Sequence, residues 1–94
     1  MSTKHPKTPN IPDDKNDMAA WAESFGNLRY DQLAEFIIEL HKKILSDSDA
    51  DRNRGRNKLS GKLLDTAEHL FEAYFPIIDA WNICKPFMSE SDKS

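Results

Sequence analysis

Apolar residues recur three and four positions apart along two long stretches of the chain, separated by polar residues. The first stretch contains Tyr30, Leu33, Ile37, Leu40 and Ile44, and the second contains Leu63, Ala67, Leu70, Tyr74, Ile77, Trp81 and Cys84. This spacing places the apolar side chains on one face of a helix, whereas a half-buried strand would alternate every second residue. The pattern predicts a helix 2 that follows the cap residue Asn27 and ends near Ser46. It also predicts a helix 3 that follows the cap residue Asn57 and ends at Lys85-Pro86.

A shorter helix precedes these two. Asp13 or Asp14, just after Pro12, can cap its first turn, and Gly26 with the following asparagine ends it. Its apolar positions again have helical spacing: Met18, Trp21, Ala22 and Phe25. We therefore predict a helix 1 in front of the two long helices.

The two long helices are expected to form an antiparallel helical hairpin, with residues 47–58 as its turn and Ile44 close to Ser60. Ser60 and Gly61 are small, so they would let the two backbones approach closely. In each long helix, further apolar residues flank the row of apolar positions named above, which we call the seam of that helix. Both helices are therefore apolar over a broader arc than one neighbouring helix can cover. The fold class predicted is all-α: a small three-helix bundle built on a helical hairpin.

Pro76 lies inside the long third helix. Proline removes one helical hydrogen bond and clashes with the preceding turn, so we expect helix 3 to be kinked there. The part of helix 3 after Pro76 extends beyond the hairpin, and helix 1, which enters at that end, is expected to cover it.

The ends of the chain are polar. Residues 1–12 contain three prolines and few apolar side chains, so they cannot offset their chain entropy by burial and are predicted to be a flexible arm, partly disordered. Residues 89–94 are predicted to be a flexible tail. The helical domain is then assigned to residues 13–88.

Length, charge and cysteine content restrict the class of protein. The 94 residues allow one domain, and a formal charge of −3 with a pI near 5.5 argues against a general binder of polyanions. Cys84 is the only cysteine, so an intramolecular disulfide is excluded. No run of apolar residues is long enough for a signal peptide or a membrane span, which predicts a cytoplasmic protein without membrane contact.

The segment 47–58 contains alternating aspartates followed by alternating basic residues. Asp47, Asp49 and Asp51 match the first ligands of a calcium loop, but Arg52 stands where the loop requires glycine and Lys58 where it requires a bidentate acid. We favour the alternative in which the aspartates cap a helix and pair with nearby arginines.

The same segment suggests a second function, namely contact with nucleic acid. The residues that would follow the phosphates are Arg52, Arg54, Arg56 and Lys58. No aromatic residue is interleaved with them for base stacking, and the neighbouring aspartates weaken the local positive field. Nucleic-acid binding through this basic loop is therefore the alternative function and not the preferred one.

Nothing in the sequence indicates an enzyme. There is no glycine-rich phosphate loop, no nucleophile motif and no cluster of metal-ligand residues, so no catalytic, cofactor or metal site is predicted. His41 is expected to be a hydrogen-bonded histidine at the edge of the core. The acidic residues of helix 3 are expected to lie on its solvated face: Asp65, Glu68, Glu72 and Asp79.

The wide apolar arcs predict the function. Two such helices and one short helix leave more apolar surface than a small domain easily hides, and this favours a non-enzymatic protein–protein interaction or regulatory module that forms a homodimer. The residues expected to contact the partner are Phe36, Ile38, Phe75 and Phe87. In the opposing interpretation, helix 1 and the Phe87-Met88 end seal the core of a monomer.

Overall fold

The structure is a computed structural model that describes residues 6–87, and these residues form helices and no strand. The helices are α1, Met18–Gly26; α2, Tyr30–Asn53; and α3, Asn57–Cys84, followed by a 3₁₀ turn at Lys85–Phe87. Helices α2 and α3 pack closely against each other. The predicted all-α fold with a helical hairpin is therefore confirmed.

The first helix begins later than the sequence suggested. Asp17, and not Asp13 or Asp14, occupies the N-cap position, where its carboxylate accepts a hydrogen bond of 3.1 Å from the backbone N–H of Ala20. The backbone N–H of Asp17 itself donates to the carbonyl of Asp14, so the earlier aspartate forms a turn in front of the helix.

The predicted end of the second helix near Ser46 is wrong, because α2 continues for two more turns to Asn53. Aspartate and serine have modest intrinsic helix propensity, which is why the segment resembled a loop. In the structure, salt bridges one turn apart support the helix: Lys43 contacts Asp47 at 2.6 Å and Arg52 contacts Asp49 at 2.8 Å.

Glycine ends α2 and makes the turn of the hairpin short. Gly55 has a φ of +80°, in the left-handed region that favours glycine. Its N–H donates to the carbonyl of Arg52, and the N–H of Arg56 donates to the carbonyl of Asp51, which together form a Schellman motif. Only residues 54–56 separate the two helices, so the turn is much shorter than the predicted 47–58.

Small residues hold the two arms of the hairpin together. The hydroxyl of Ser48 donates to the carbonyl of Ser60 at 2.8 Å, and both serines are buried. Ala34 and Ala67 are fully buried as well. The expected proximity of Ile44 and Ser60 is therefore wrong by about one helical turn, because the longer α2 shifts the pairing toward Ser48.

Ser60 contributes to this close approach as predicted, but Gly61 does not. Gly61 is exposed, and a Cβ placed on it would meet no atom within 4 Å.

The described chain divides into two compact units. One is the hairpin unit, Ala34–Pro76, and the other combines residues 6–33 with residues 77–87. The second unit thus contains α1 together with the last turns of α3, in agreement with the expectation that helix 1 covers this part of helix 3. Its best-buried residues are Leu28 and Arg29.

Arg29 connects the parts of that second unit. Its guanidinium donates to both carboxylate oxygens of Asp31 at 2.7 Å and lies 5.2 Å from the centre of the Trp81 ring. Its backbone N–H donates to the carbonyl of Pro6 at 2.9 Å. A little further along, the carbonyl of Asn10 accepts a hydrogen bond from the hydroxyl of Ser24.

Three predictions about the chain remain untested. Helix α3 is helical on both sides of Pro76, and the expected kink there stays a prediction. The predicted flexibility of the arm stays a prediction for residues 6–12. The first five residues of that arm and the predicted tail, 89–94, lie outside the described residues.

Candidate protein-binding groove

Large apolar side chains remain exposed in the hairpin unit. Within Ala34–Pro76, the fully buried apolar residues are two alanines, Ala34 and Ala67. On α3, in contrast, Leu64 is 37% exposed, Phe71 44% and Phe75 51%. The hairpin unit has two arms, and these side chains of its second arm stay partly exposed within residues 6–87.

The exposed aromatic residues line one side of the hairpin. The rings of His41 and Phe71 lie 5.2 Å apart, and Phe71 meets Phe75 edge to face, also at 5.2 Å. An open cleft of about 520 Å³ lies here, lined by His41, Glu68, Phe71 and Glu72. We refer to this cleft, together with Leu64 and Phe75, as the hairpin groove.

His41 is fixed at the edge of the groove. Its Nδ1 lies 2.7 Å from the carbonyl oxygen of Ala67, and because a carbonyl only accepts, Nδ1 carries the hydrogen. The prediction of a hydrogen-bonded histidine at the edge of the core is therefore confirmed.

Carboxylates surround the groove on the α3 side. Within residues 6–87, no ion pair involves Asp65 or Glu68, and Glu72 contacts only His69, at 3.3 Å. Among residues 6–87, no lysine or arginine therefore pairs with the carboxylates beside the groove.

The four predicted partner-binding residues are divided between the two units, with Phe36, Ile38 and Phe75 in the hairpin unit. Phe75 lies in the groove, and Ile38 is half-buried one turn before His41, so it is on the same side of α2. Phe36 is also half-buried, but two residues along a helix point about 200° apart, so it faces the other side of α2. Phe87 is 86% exposed and belongs to the other unit.

Phe71 and Leu64 were not among the predicted contact residues. The sequence indicates them all the same, because apolar residues at 64, 71 and 75 form a second row beside the seam of helix 3. Which of the two seams packs against α2 depends on the register, and the spacing alone does not specify it.

The basic residues of the alternative function are spread over two helices and the turn. Arg52 lies in the last turn of α2, Arg54 and Arg56 lie in the turn of the hairpin, and Lys58 is in the first turn of α3. All four are exposed. Two of them are partly neutralised, because Arg52 pairs with Asp49 and Arg56 lies 3.4 Å from a carboxylate oxygen of Asp51.

The aspartates of the same segment each contact a cation, and two of the three contact an arginine as predicted. All three lie inside α2, so the prediction that they cap a helix is wrong. Asp47 pairs with Lys43, Asp49 with Arg52 and Asp51 with Arg56. Among residues 6–87, no group of three or more histidine, cysteine or acidic side chains is arranged to hold a metal ion.

The last two findings concern membrane-spanning helices and similarity to known proteins. None of the helices within residues 6–87 combines the length and the apolar character needed to cross a bilayer. Comparisons of the chain with protein-family models, curated proteins and solved structures find no significant match.

Proposed function

We propose that this chain is a non-enzymatic helical module that binds a protein partner through the hairpin groove. The observation that carries the proposal is the exposure of Leu64, Phe71 and Phe75 on one side of a two-helix unit whose own core consists of small residues. Contiguous apolar surface of this kind, bordered by polar residues, is typical of protein–protein contact sites.

The gain available from covering this surface is appreciable. Full burial of a phenylalanine or leucine side chain contributes about 1.5–3 kcal/mol. Roughly half of that remains to be gained at each of the three positions, since they are 37–51% exposed. A partner that covers all three side chains therefore gains on the order of 2–4 kcal/mol from apolar burial.

Self-association belongs to this proposal as a prediction. A second copy of the chain is one such partner, and two hairpins that pack face to face would form a four-helix bundle. Sedimentation equilibrium from low to high micromolar concentration measures it directly. A protein that remains a clean monomer at high micromolar concentration contradicts the homodimer.

A groove variant tests the function for any protein partner. Phe71→Ser removes the central apolar side chain, and Ile83→Ser is the matched control because Ile83 is 70% exposed and lies in the other unit. We expect the wild type and the control to form the same complexes, measured by sedimentation equilibrium and by affinity capture from the native host. Phe71→Ser should lose them.

The proposed function is contradicted if a folded Phe71→Ser variant self-associates and captures proteins to the same extent as the wild type. Circular dichroism confirms that each variant remains helical before it is compared.

A further inference from the structure

The charged residues around the hairpin groove indicate which kind of partner the groove binds. Three carboxylates lie along the exposed side of α3 next to the exposed apolar side chains: Asp65, Glu68 and Glu72. Glu68 and Glu72 line the cleft on either side of Phe71 in sequence. The only cation that any of the three contacts within residues 6–87 is His69, which is charged only when protonated.

The polar lining of the cleft is suited to a partner that donates hydrogen bonds. The carboxylates of Glu68 and Glu72 both accept hydrogen bonds. The ring of Phe71 is 44% exposed, and an aromatic ring attracts a cation through its quadrupole. A lysine or arginine side chain satisfies these groups together, whereas an acidic or purely apolar side chain leaves them unpaired.

A second copy of the chain is poorly matched to this charge. It would bring the same three acidic side chains toward the groove, and like charges that face each other are destabilising. The whole chain also carries a net charge of −3. Charge complementarity therefore favours a basic partner over a second copy.

The shape of the groove indicates the form of that partner. The exposed apolar side chains run from Leu64 to Phe75, twelve residues of helix whose ends lie about 16 Å apart along the axis. A groove between two helices accepts a third helix whose apolar side chains recur every three to four residues. About three turns of such a helix would span it.

We propose that the hairpin groove binds a basic amphipathic helix, whose apolar face packs on Leu64, Phe71 and Phe75 and whose lysine or arginine side chains contact Glu68 and Glu72. This inference rests on the proposed function and names the chemistry of the partner.

Two synthetic peptides test the inference. One is a 14-residue amphipathic helix of leucine and lysine, and the other has every lysine replaced by glutamate. Fluorescence anisotropy at pH 7 and low salt measures the binding of each labelled peptide to the full chain. We expect the lysine peptide to bind and the glutamate peptide not to bind.

A matched pair of charge variants locates the contact. Glu68→Gln with Glu72→Gln neutralises two carboxylates in the groove, and Glu35→Gln with Glu39→Gln neutralises an exposed pair of the same spacing on α2. We expect the groove variant to bind the lysine peptide about tenfold more weakly, because two surface ion pairs are lost. The α2 variant should bind within about twofold of the wild type, and the tenfold difference should shrink at high salt.

The outcomes separate this inference from the function on which it rests. Equal weakening by both charge variants, or equal binding of both peptides, overturns the basic partner. If neither peptide binds but the chain self-associates in a way that Phe71→Ser abolishes, the basic partner is wrong and the interaction function stands. If neither peptide binds and Phe71→Ser changes no complex, both are wrong.

Discussion

The contact between Arg29 and Asp31 allows a stability prediction with a defined pH dependence. Asp31→Asn keeps the shape of the side chain but removes its charge. The side chain of Arg29 is only 8% exposed, and its guanidinium donates twice to this carboxylate, at 2.7 Å each. A charged group left in place without its charged partner is more costly than the loss of a neutral hydrogen bond.

The size of the effect follows from these contacts. Hydrogen bonds to charged groups contribute about 1.5–3 kcal/mol, and the 27% exposure of Asp31 places this pair toward the lower part of that range. We expect Asp31→Asn to reduce the free energy of unfolding by about 2 kcal/mol at pH 7, which lowers the Tm by about 8–16 °C for a chain of this size.

The pH dependence gives an independent check. The hydrogen bond from Arg29, aided by its positive charge, lowers the pKa of Asp31 in the folded protein. A lowered folded pKa contributes stability that is present above the unfolded value of about 3.9 and is lost as the pH falls through the folded pKa. The stability difference between wild type and Asp31→Asn should thus be constant from pH 6 to 8 and shrink below about pH 4.

Urea unfolding followed by circular dichroism at pH 7 and pH 3 measures both quantities. Asp47→Asn is the control, because its exposed pair with Lys43 is expected to contribute about 0.5 kcal/mol or less. An Asp31→Asn variant as stable as the wild type at pH 7 would refute the role given to this pair. So would a stability difference that does not change with pH.

The remaining predictions concern the two glycines of the hairpin and its basic residues. Gly55→Ala should reduce the free energy of unfolding by about 1 kcal/mol, because alanine is strained at a φ of +80°. Gly61→Ala should raise it by about 0.5–1 kcal/mol, because the added methyl group meets no atom within 4 Å and alanine favours the helix; thermal unfolding measures both variants. If the alternative function holds, an electrophoretic mobility shift with DNA or RNA must weaken steeply with salt and disappear when Arg52, Arg54 and Arg56 are changed to alanine. The absence of a shift at low salt would end that alternative.

The sequence was sufficient to predict the helices and their pairing but not the length of the second helix. Periodicity identified all three helices, and the candidate cap Asn57 is the first residue of α3. The segment after Ser46 was misread because aspartate and serine often mark turns. Its helical state depends on salt bridges one turn apart and on the glycine cap at Gly55, which act only once the helix exists.

The candidate site could be predicted only in part. The wide apolar arcs of the two long helices predicted that some apolar surface would remain exposed. Phe75 was identified correctly as an exposed residue. The position of the groove depends on the pairing of Ser48 with Ser60, because this register directs Ala67 inward and leaves Phe71 at the surface. A shift of one turn in the register could not be resolved from periodicity, since two neighbouring seams on α3 are both apolar.

The most direct test of the binding surface is a nuclear magnetic resonance titration of the full, ¹⁵N-labelled chain with the leucine–lysine peptide. We expect the largest amide shift changes around His41 and along α3 from Leu64 to Phe75, with little change in α1, Met18–Gly26. Shift changes centred on residues 52–58, or no changes at saturating peptide, would contradict the assignment of the hairpin groove as the binding surface.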